Sequence, residues 1–150
     1  MPADLVNPRF QDAVRESFAR QNLMRTLGAE LLRIAPGEVD ISLGWRDDLG
    51  QQSGILHAGV IASIADSACG YAALTMMPAG SEVVSVEFKL NLLAPARGAE
   101  FVARGRVIRA GKTITAAAAD VYAGDTLVAT MLGTMLRRPP PSPPSPPSPP

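Results

Sequence analysis

The segment from residue 57 to residue 74 constrains the fold most, because it is apolar on almost every side. Its apolar positions are Val60, Ile61, Ile64, Ala65, Ala68, Cys69, Ala72 and Ala73. A helix of this composition is buried rather than lying at a surface, and its eighteen residues would span about 27 Å. Pro78 and Gly80 follow the segment and end the helix. The sequence therefore predicts one long central helix that the rest of the chain must surround.

Strand patterns flank this helix on both sides. Two short pieces joined by Pro36-Gly37 precede it, and the second alternates apolar and polar residues from Val39 to Trp45. Three or four long strands follow it, separated by turn residues such as Gly111 and Gly124. A sheet needs an apolar partner on its inner face. We therefore predict an α+β fold in which an antiparallel sheet of five or six strands wraps around the central helix.

The N-terminal part of the chain predicts a shorter helix. Asn7 is a good capping residue and Pro8 a good first residue. Apolar residues then recur at every fourth position from Phe10 to Phe18, as on one face of a helix, and Gly28 predicts its end.

Proline is concentrated at the other end, where nine of the 14 prolines lie in residues 139–150. We predict an extended, disordered Pro/Ser-rich tail there, because the segment lacks apolar side chains that could form a core. The alternative is a ligand for a proline-recognising domain. The chain thus divides into an N-terminal helical segment (1–27), one domain (28–138) and the tail (139–150).

Composition excludes several classes of protein. With 14 basic and 14 acidic residues there is no overall charge to attract nucleic acid or an anionic membrane. The apolar window from Ala58 to Met77 contains Asp66, and a carboxylate costs about 2.5–3.5 kcal/mol at a bilayer centre. One histidine and one cysteine argue against a disulfide framework or a zinc site, and the N-terminus lacks a secretory pattern. We expect a cytoplasmic protein without a metal.

Asp66 is the most informative residue, because it lies in the middle of the buried helix. No basic residue occurs between Arg46 and Lys89, so no local salt bridge is available. A buried carboxylate must find partners or change its pKa. Asp66 is therefore either a structural residue, with a hydroxyl partner among Ser63, Ser67 and Ser81, or a general base or nucleophile that lines a pocket.

The start of the helix offers a second group of chemical interest. His57 precedes Ala58 and Gly59, whose backbone N–H groups have no partner within the helix and carry the positive end of its dipole. They could polarise a carbonyl, although a structural role for His57 is the alternative. His57 and Asp66 are nine residues apart, about 900° around a helix, and so lie on opposite faces. Two chains of a symmetric dimer could bring them together.

These residues together resemble a known family. The stretch Gln51-Gln52-Ser53-Gly54-Ile55-Leu56-His57-Ala58-Gly59, followed by Ile64-Ala65-Asp66-Ser67-Ala68, is similar to the hotdog-fold acyl-CoA thioesterases of the phenylacetate-pathway and 4-hydroxybenzoyl-CoA types. The segment from Val84 to Ala96 and the turn Gly111-Lys112-Thr113 also look similar. The resemblance covers roughly residues 28 to 137, and it implies a hotdog fold.

The resemblance also implies roles. Asp66 would be the catalytic general base or nucleophile, with Gln51 on the attacking water or substrate. The Ala58 N–H would polarise the thioester carbonyl, with Gly59 allowing close approach and His57 supporting the loop. Ser85 would orient the water or Asp66, although the strand alternation puts it on the polar face, away from Val84 and Val86. Ala58 replaces the first glycine of the family's H-G-G pattern.

The implied reaction is hydrolysis of an acyl- or aroyl-CoA by a homodimer or homotetramer with its site at the subunit interface. Coenzyme A would be part of the substrate, and no other cofactor is implied. Arg109 and Lys112, in a locally basic stretch, are the candidates for its phosphates; the alternative, a solvated outer face of a strand pair, applies to Arg104 and Arg106. The alternatives are a non-catalytic acyl-CoA-binding protein, a thioester hydratase or dehydratase, and a dimeric scaffold for the tail.

Overall fold

The computed structural model describes residues 7–140, so the tail predicted for 139–150 lies outside the described residues apart from its first two. The helices and strands follow one another as α1 (Phe10–Arg20), α2 (Asn22–Leu27), β1 (Glu30–Ala35), β2 (Glu38–Gly44), a short 3₁₀ turn (Asp47–Leu49), α3 (Ala58–Leu74), β3 (Glu82–Leu92), β4 (Glu100–Ala110), β5 (Ile114–Ala123) and β6 (Thr126–Arg138).

The six strands form one antiparallel sheet in the order β1-β2-β4-β5-β6-β3. Helix α3 packs against its inner face, so the predicted α+β fold around one long helix is confirmed. Side chains along α3 such as Ile64, Ala65 and Ala72 are fully buried. The small residues of α3 allow a close approach, since a Cβ atom added at Gly105 of β4 would lie 2.3 Å from the Ala68 carbonyl oxygen.

Helix α3 ends at Leu74, earlier than the proline after it. The Thr75 hydroxyl donates to the Ala72 carbonyl at 2.7 Å and accepts the Gly37 N–H at 2.7 Å. This buried hydroxyl closes the helix and ties it to the β1–β2 turn, so the helix needs no continuation toward Pro78.

The N-terminal segment forms two helices rather than one, with a break at Gln21. Its first helix begins at Phe10 and not at Pro8, because the Asn7 side chain and carbonyl accept the N–H groups of Arg9 and Phe10 and form a turn there. Gly28 ends α2 as predicted, in the left-handed conformation with φ of 74°.

Strand β3 lies at an edge of the sheet and contains a bulge between Ser85 and Glu87. The bulge overturns the predicted alternation. Ser85 is opposite the buried Met135, and Phe88 is opposite Gly133 two positions along β6, so both lie on the inner face. Val84 is opposite Leu136 and lies on the outer face.

Candidate functional site

The carboxylate of Asp66 is held by a residue that is remote in sequence. Ser85 on β3 donates its hydroxyl proton to Asp66 Oδ1 at 2.6 Å. Asp66 is half-buried on α3, and the bulge in β3 turns the Ser85 side chain toward the helix. The three serines considered as alternative partners all bond to other groups: Ser63, Ser67 and Ser81.

Asp66 lines a cavity of about 680 Å³, which Ser85 also lines. Among residues 7–140, no hydrogen-bond donor and no basic side chain contacts Asp66 Oδ2. Asp66 is therefore oriented through one carboxylate oxygen, and its other carboxylate oxygen is free of protein hydrogen-bond donors among the described residues.

At the start of α3, His57 caps the helix through its side chain. Its Nδ1 accepts the Gly59 N–H at 2.8 Å, and its carbonyl accepts the N–H groups of Val60 and Ile61. A Cβ atom at Gly59 would lie 3.1 Å from that same nitrogen, so a larger residue would press on the imidazole. The Ala58 N–H is left without an acceptor in the described part of the chain.

Gln51 and His57 belong to a second cavity of about 520 Å³, lined also by Ala58 and the end of β3. The Gln51 side-chain oxygen accepts the Ser53 N–H, which folds the loop back on itself. The amide nitrogen of Gln51 is a further donor for a bound molecule.

Within one chain the structure does not bring the predicted site residues together. Asp66 and Ser85 line the first cavity, whereas Gln51, His57 and Ala58 line the second. Nine residues of helix separate His57 from Asp66 by about 13.5 Å along the axis and about half a turn around it.

The two predicted phosphate-binding residues lie elsewhere. Arg109 is near the end of β4 and Lys112 in the turn that follows; both are exposed, and neither lines the two cavities. Arg97 of the same basic stretch contacts the Gln51 loop instead, through the Ser53 carbonyl at 3.4 Å. The sequence offered no signal to prefer Arg97, because only the folded loop brings it there.

Sequence reasoning also missed the contribution of α1. Its polar residues Ser17 and Arg20 line the cavity of Asp66, as does Gln21. In the sequence these positions look like the solvated side of an amphipathic helix. The buried Tyr71 on α3 bonds to Ser17 and Gln21, and its burial raises the pKa of the phenol.

Cys69 is a core residue and no nucleophile. It is fully buried, and desolvation raises the pKa of its thiol to about 12. Within residues 7–140, no three His, Cys, Asp or Glu side chains are grouped as metal ligands would be. Over the same range, no helix has both the length and the apolar character needed to cross a bilayer.

The chain is similar in sequence and in fold to known proteins. Residues 53–130 match the model of the thioesterase superfamily. A protein of Saccharolobus solfataricus classed as a candidate esterase is 30% identical over 122 residues, which are 81% of each chain. A thioesterase-family protein of Silicibacter pomeroyi superposes with a TM-score of 0.84 at 43% identity, covering 85% of this chain and 97% of the other. The E. coli PaaI protein from the phenylacetic acid degradation operon superposes with a TM-score of 0.79 at 18% identity, covering 86% and 93%.

Proposed function

The chain belongs to the thioesterase superfamily and is a thioester hydrolase, and from this premise we propose that Asp66 performs the hydrolysis of an acyl- or aroyl-CoA at a dimer interface. The resemblance to hotdog-fold thioesterases is thereby confirmed at the level of family and fold. The products are the free acid and coenzyme A.

One observation carries the proposal for Asp66. Its Oδ1 is anchored by Ser85 at 2.6 Å, its Oδ2 has no protein donor among the described residues, and the residue lines the cavity. A carboxylate that is oriented through one oxygen and has no protein donor on the other is placed to act on a bound molecule. Ser85 is in this proposal the residue that orients Asp66.

The reaction needs a group that polarises the thioester carbonyl, and the Ala58 N–H supplies it. The N–H lies at the first residue of a seventeen-residue helix and has no acceptor within residues 7–140. Negative charge that develops on the carbonyl oxygen is stabilised there by the hydrogen bond and the helix dipole. His57 holds this end of the helix in place through Gly59.

Water completes the reaction. Asp66 takes a proton from a water molecule whose oxygen attacks the thioester carbon, and Gln51 hydrogen-bonds that water or the substrate. The tetrahedral intermediate then expels the coenzyme A sulfur, which receives the proton. Alternatively, Asp66 attacks the thioester carbon itself and expels the coenzyme A thiolate, which takes a proton from solvent, and water then hydrolyses the resulting anhydride to the free acid and the Asp66 carboxylate. Arg109 and Lys112 remain our candidates for the coenzyme A phosphates, with Arg97 added because it contacts the Gln51 loop.

The separation of the two half-sites supports a dimer. Asp66 of one chain would meet the helix start of its partner, because each chain's own helix start lies on the far side of α3. Strand β3 is an open sheet edge that exposes large apolar side chains: Val84, Val86, Phe88 and Leu92 are each at least 40% exposed. An edge of this kind is a template for pairing with a second copy.

Measurement of free thiol release tests the catalytic role. Purified protein is assayed on short, medium, long and aromatic acyl-CoAs beside Asp66→Asn, which keeps the size of the side chain and removes the base. We expect a loss in kcat of at least about 100-fold, the low end for removal of a general acid or base. Asp125→Asn is the matched control, because Asp125 is exposed in the β5–β6 turn.

Two outcomes contradict the proposal. If Asp66→Asn hydrolyses its best substrate as fast as the parent, Asp66 is not catalytic. If neither protein releases thiol but both bind acyl-CoA, the chain is a binding protein on this fold.

A further inference from the structure

The cavity next to Asp66 has a wall that comes from outside the catalytic elements. Helix α1 contributes Ser17 and Arg20, and the residue after it contributes Gln21. The opposite wall is formed by α3 and the first residues of β3. Polar side chains line a large part of this cavity, whereas a channel that binds a long alkyl chain would be lined by apolar side chains.

A chain of hydrogen bonds runs along this wall. Ser67 donates to Gln21 Oε1 at 2.9 Å, and Gln21 Nε2 donates to the Tyr71 hydroxyl oxygen at 3.1 Å. The chain continues from the Tyr71 hydroxyl to Ser17 Oγ at 3.3 Å, a contact in which either hydroxyl can be the donor.

Ser17 is the end of the chain of hydrogen bonds. Whichever hydroxyl donates, one proton of the Ser17–Tyr71 pair has no acceptor within residues 7–140. When Tyr71 is the donor, that proton belongs to Ser17, which lines the cavity. Tyr71, which positions it, is held by burial and by a tilted contact with the Phe18 ring at 5.8 Å.

The same cavity is lined by Asp66, Tyr71 and Ser17. Tyr71 lies five residues after Asp66 on α3, about 7.5 Å along the helix axis. A thioester carbon beside Asp66 would leave the acyl tail to extend toward Tyr71 and Ser17. Gly70, which lies one turn after Asp66 on the same face of α3, keeps this path open because it has no side chain.

We propose that this cavity receives the acyl group, that Tyr71 donates to Ser17, and that the Ser17 proton thereby selects short acyl groups with an oxygen acceptor at the far end. The proposal rests on the proposed thioesterase function and adds a substrate class to it. Ser17 is the specificity-determining donor, and Tyr71 and Gln21 are positioning residues.

The test uses two acyl-CoAs of nearly equal shape. In 5-oxohexanoyl-CoA the tail carries a carbonyl oxygen where 5-methylhexanoyl-CoA carries a methyl group. One hydrogen bond contributes about 0.5–1.5 kcal/mol, so we expect the parent to prefer the oxo ester by about 2- to 10-fold in kcat/KM. Ser17→Ala should bring this ratio to about 1, and Ser17→Thr, which keeps the hydroxyl, should retain it.

Two further variants exclude an indirect effect. Tyr71→Phe removes the proton that directs Ser17 and should lower the ratio in a protein that still melts cooperatively. Ser63→Ala is the matched control, because Ser63 donates to the Gly59 carbonyl and lines neither cavity. Its ratio should equal that of the parent.

The proposal is overturned if the parent does not prefer the oxo ester, or if Ser17→Ala retains the preference. Its failure is distinct from that of the proposed function. If no ester is hydrolysed, the thioesterase assignment of Asp66 fails, and the dissociation constants of the two esters, measured by calorimetry, still test recognition of the tail in the same variants.

Discussion

Replacement of Ala58 by proline removes one atom of the proposed machinery and little else. Proline lacks the backbone N–H, and the first position of a helix tolerates it well. His57, which precedes it, already has φ of −62° and ψ of 137°, an extended conformation that a following proline favours. We therefore expect Ala58→Pro to fold with unchanged or slightly higher stability.

The expected loss of activity follows from the donors available at the helix start. Of the four N–H groups in the first turn, Gly59 donates to the His57 ring, and Val60 and Ile61 donate to its carbonyl. Only the Ala58 N–H has no acceptor among residues 7–140. It is therefore the one backbone donor that the start of α3 offers to a thioester oxygen. Removal of one such donor costs about 100- to 1000-fold in kcat, or about 2.7–4 kcal/mol.

The assay is thiol release with a thermal melt of the same samples. Ala58→Gly is the matched control, because it keeps the N–H and should keep kcat within a few-fold of the parent. A variant Ala58→Pro that melts like the parent and turns over at the same rate would refute the role of this N–H.

The same variant tests the shared site. Chains with Ala58→Pro and chains with Asp66→Asn are coexpressed with different tags, and the mixed dimers are isolated through both tags. If each site takes Asp66 from one chain and Ala58 from the other, one of the two sites is intact, and the mixed dimer has about half the parent activity. Inactive mixed dimers would contradict a site made by two chains.

Two predictions concern the core. Gly105→Ala would place a methyl carbon 2.3 Å from the Ala68 carbonyl oxygen. Because the backbone must then move, we expect this variant to lose about 3 kcal/mol of stability and its Tm to fall by about 6–12 °C. The control Gly44→Ala has no atom within 4 Å of the new carbon and should melt within about 2 °C of the parent; equal melting of the two variants would contradict the close contact. Burial raises the pKa of the Cys69 thiol to about 12 from its usual 9.0. As the pH rises, the thiol therefore ionises first in the unfolded chain, and the free energy of unfolding should fall between pH 9 and pH 12. In denaturant titrations Cys69→Ala should lose less stability over this range than the parent; an equal loss in both proteins would contradict the prediction.

Much of the fold can be predicted from the periodicity of apolar residues in the sequence. The all-apolar segment predicted α3, and alternation with turn residues predicted the antiparallel strands. Ser85 was misplaced by the same rule, because a bulge adds one residue and reverses the faces of β3 without any signal in a period of two. Its partnership with Asp66, nineteen residues away, is a tertiary contact that spacing along one helix could not indicate.

The polar side of α1 shows a different limit. Ser17 and Gln21 are ordinary surface residues by composition, and only the packing of α1 on α3 turns them toward Tyr71. The sequence does indicate that one chain cannot bring His57 and Asp66 together, since nine helical residues place them on opposite faces of α3.

The location of α1 in the chain has a consequence for how such enzymes diversify. The stretch that matches the superfamily, residues 53–130, contains Asp66, Ser85 and the helix start, whereas Ser17 and Gln21 precede it. On the proposed role of Ser17, the choice of acyl tail depends on a side chain outside the matched stretch, although Tyr71, which positions Ser17, lies within it. A substitution at position 17 would then change the preferred acyl group and leave Asp66, Ser85 and Ala58 as they are.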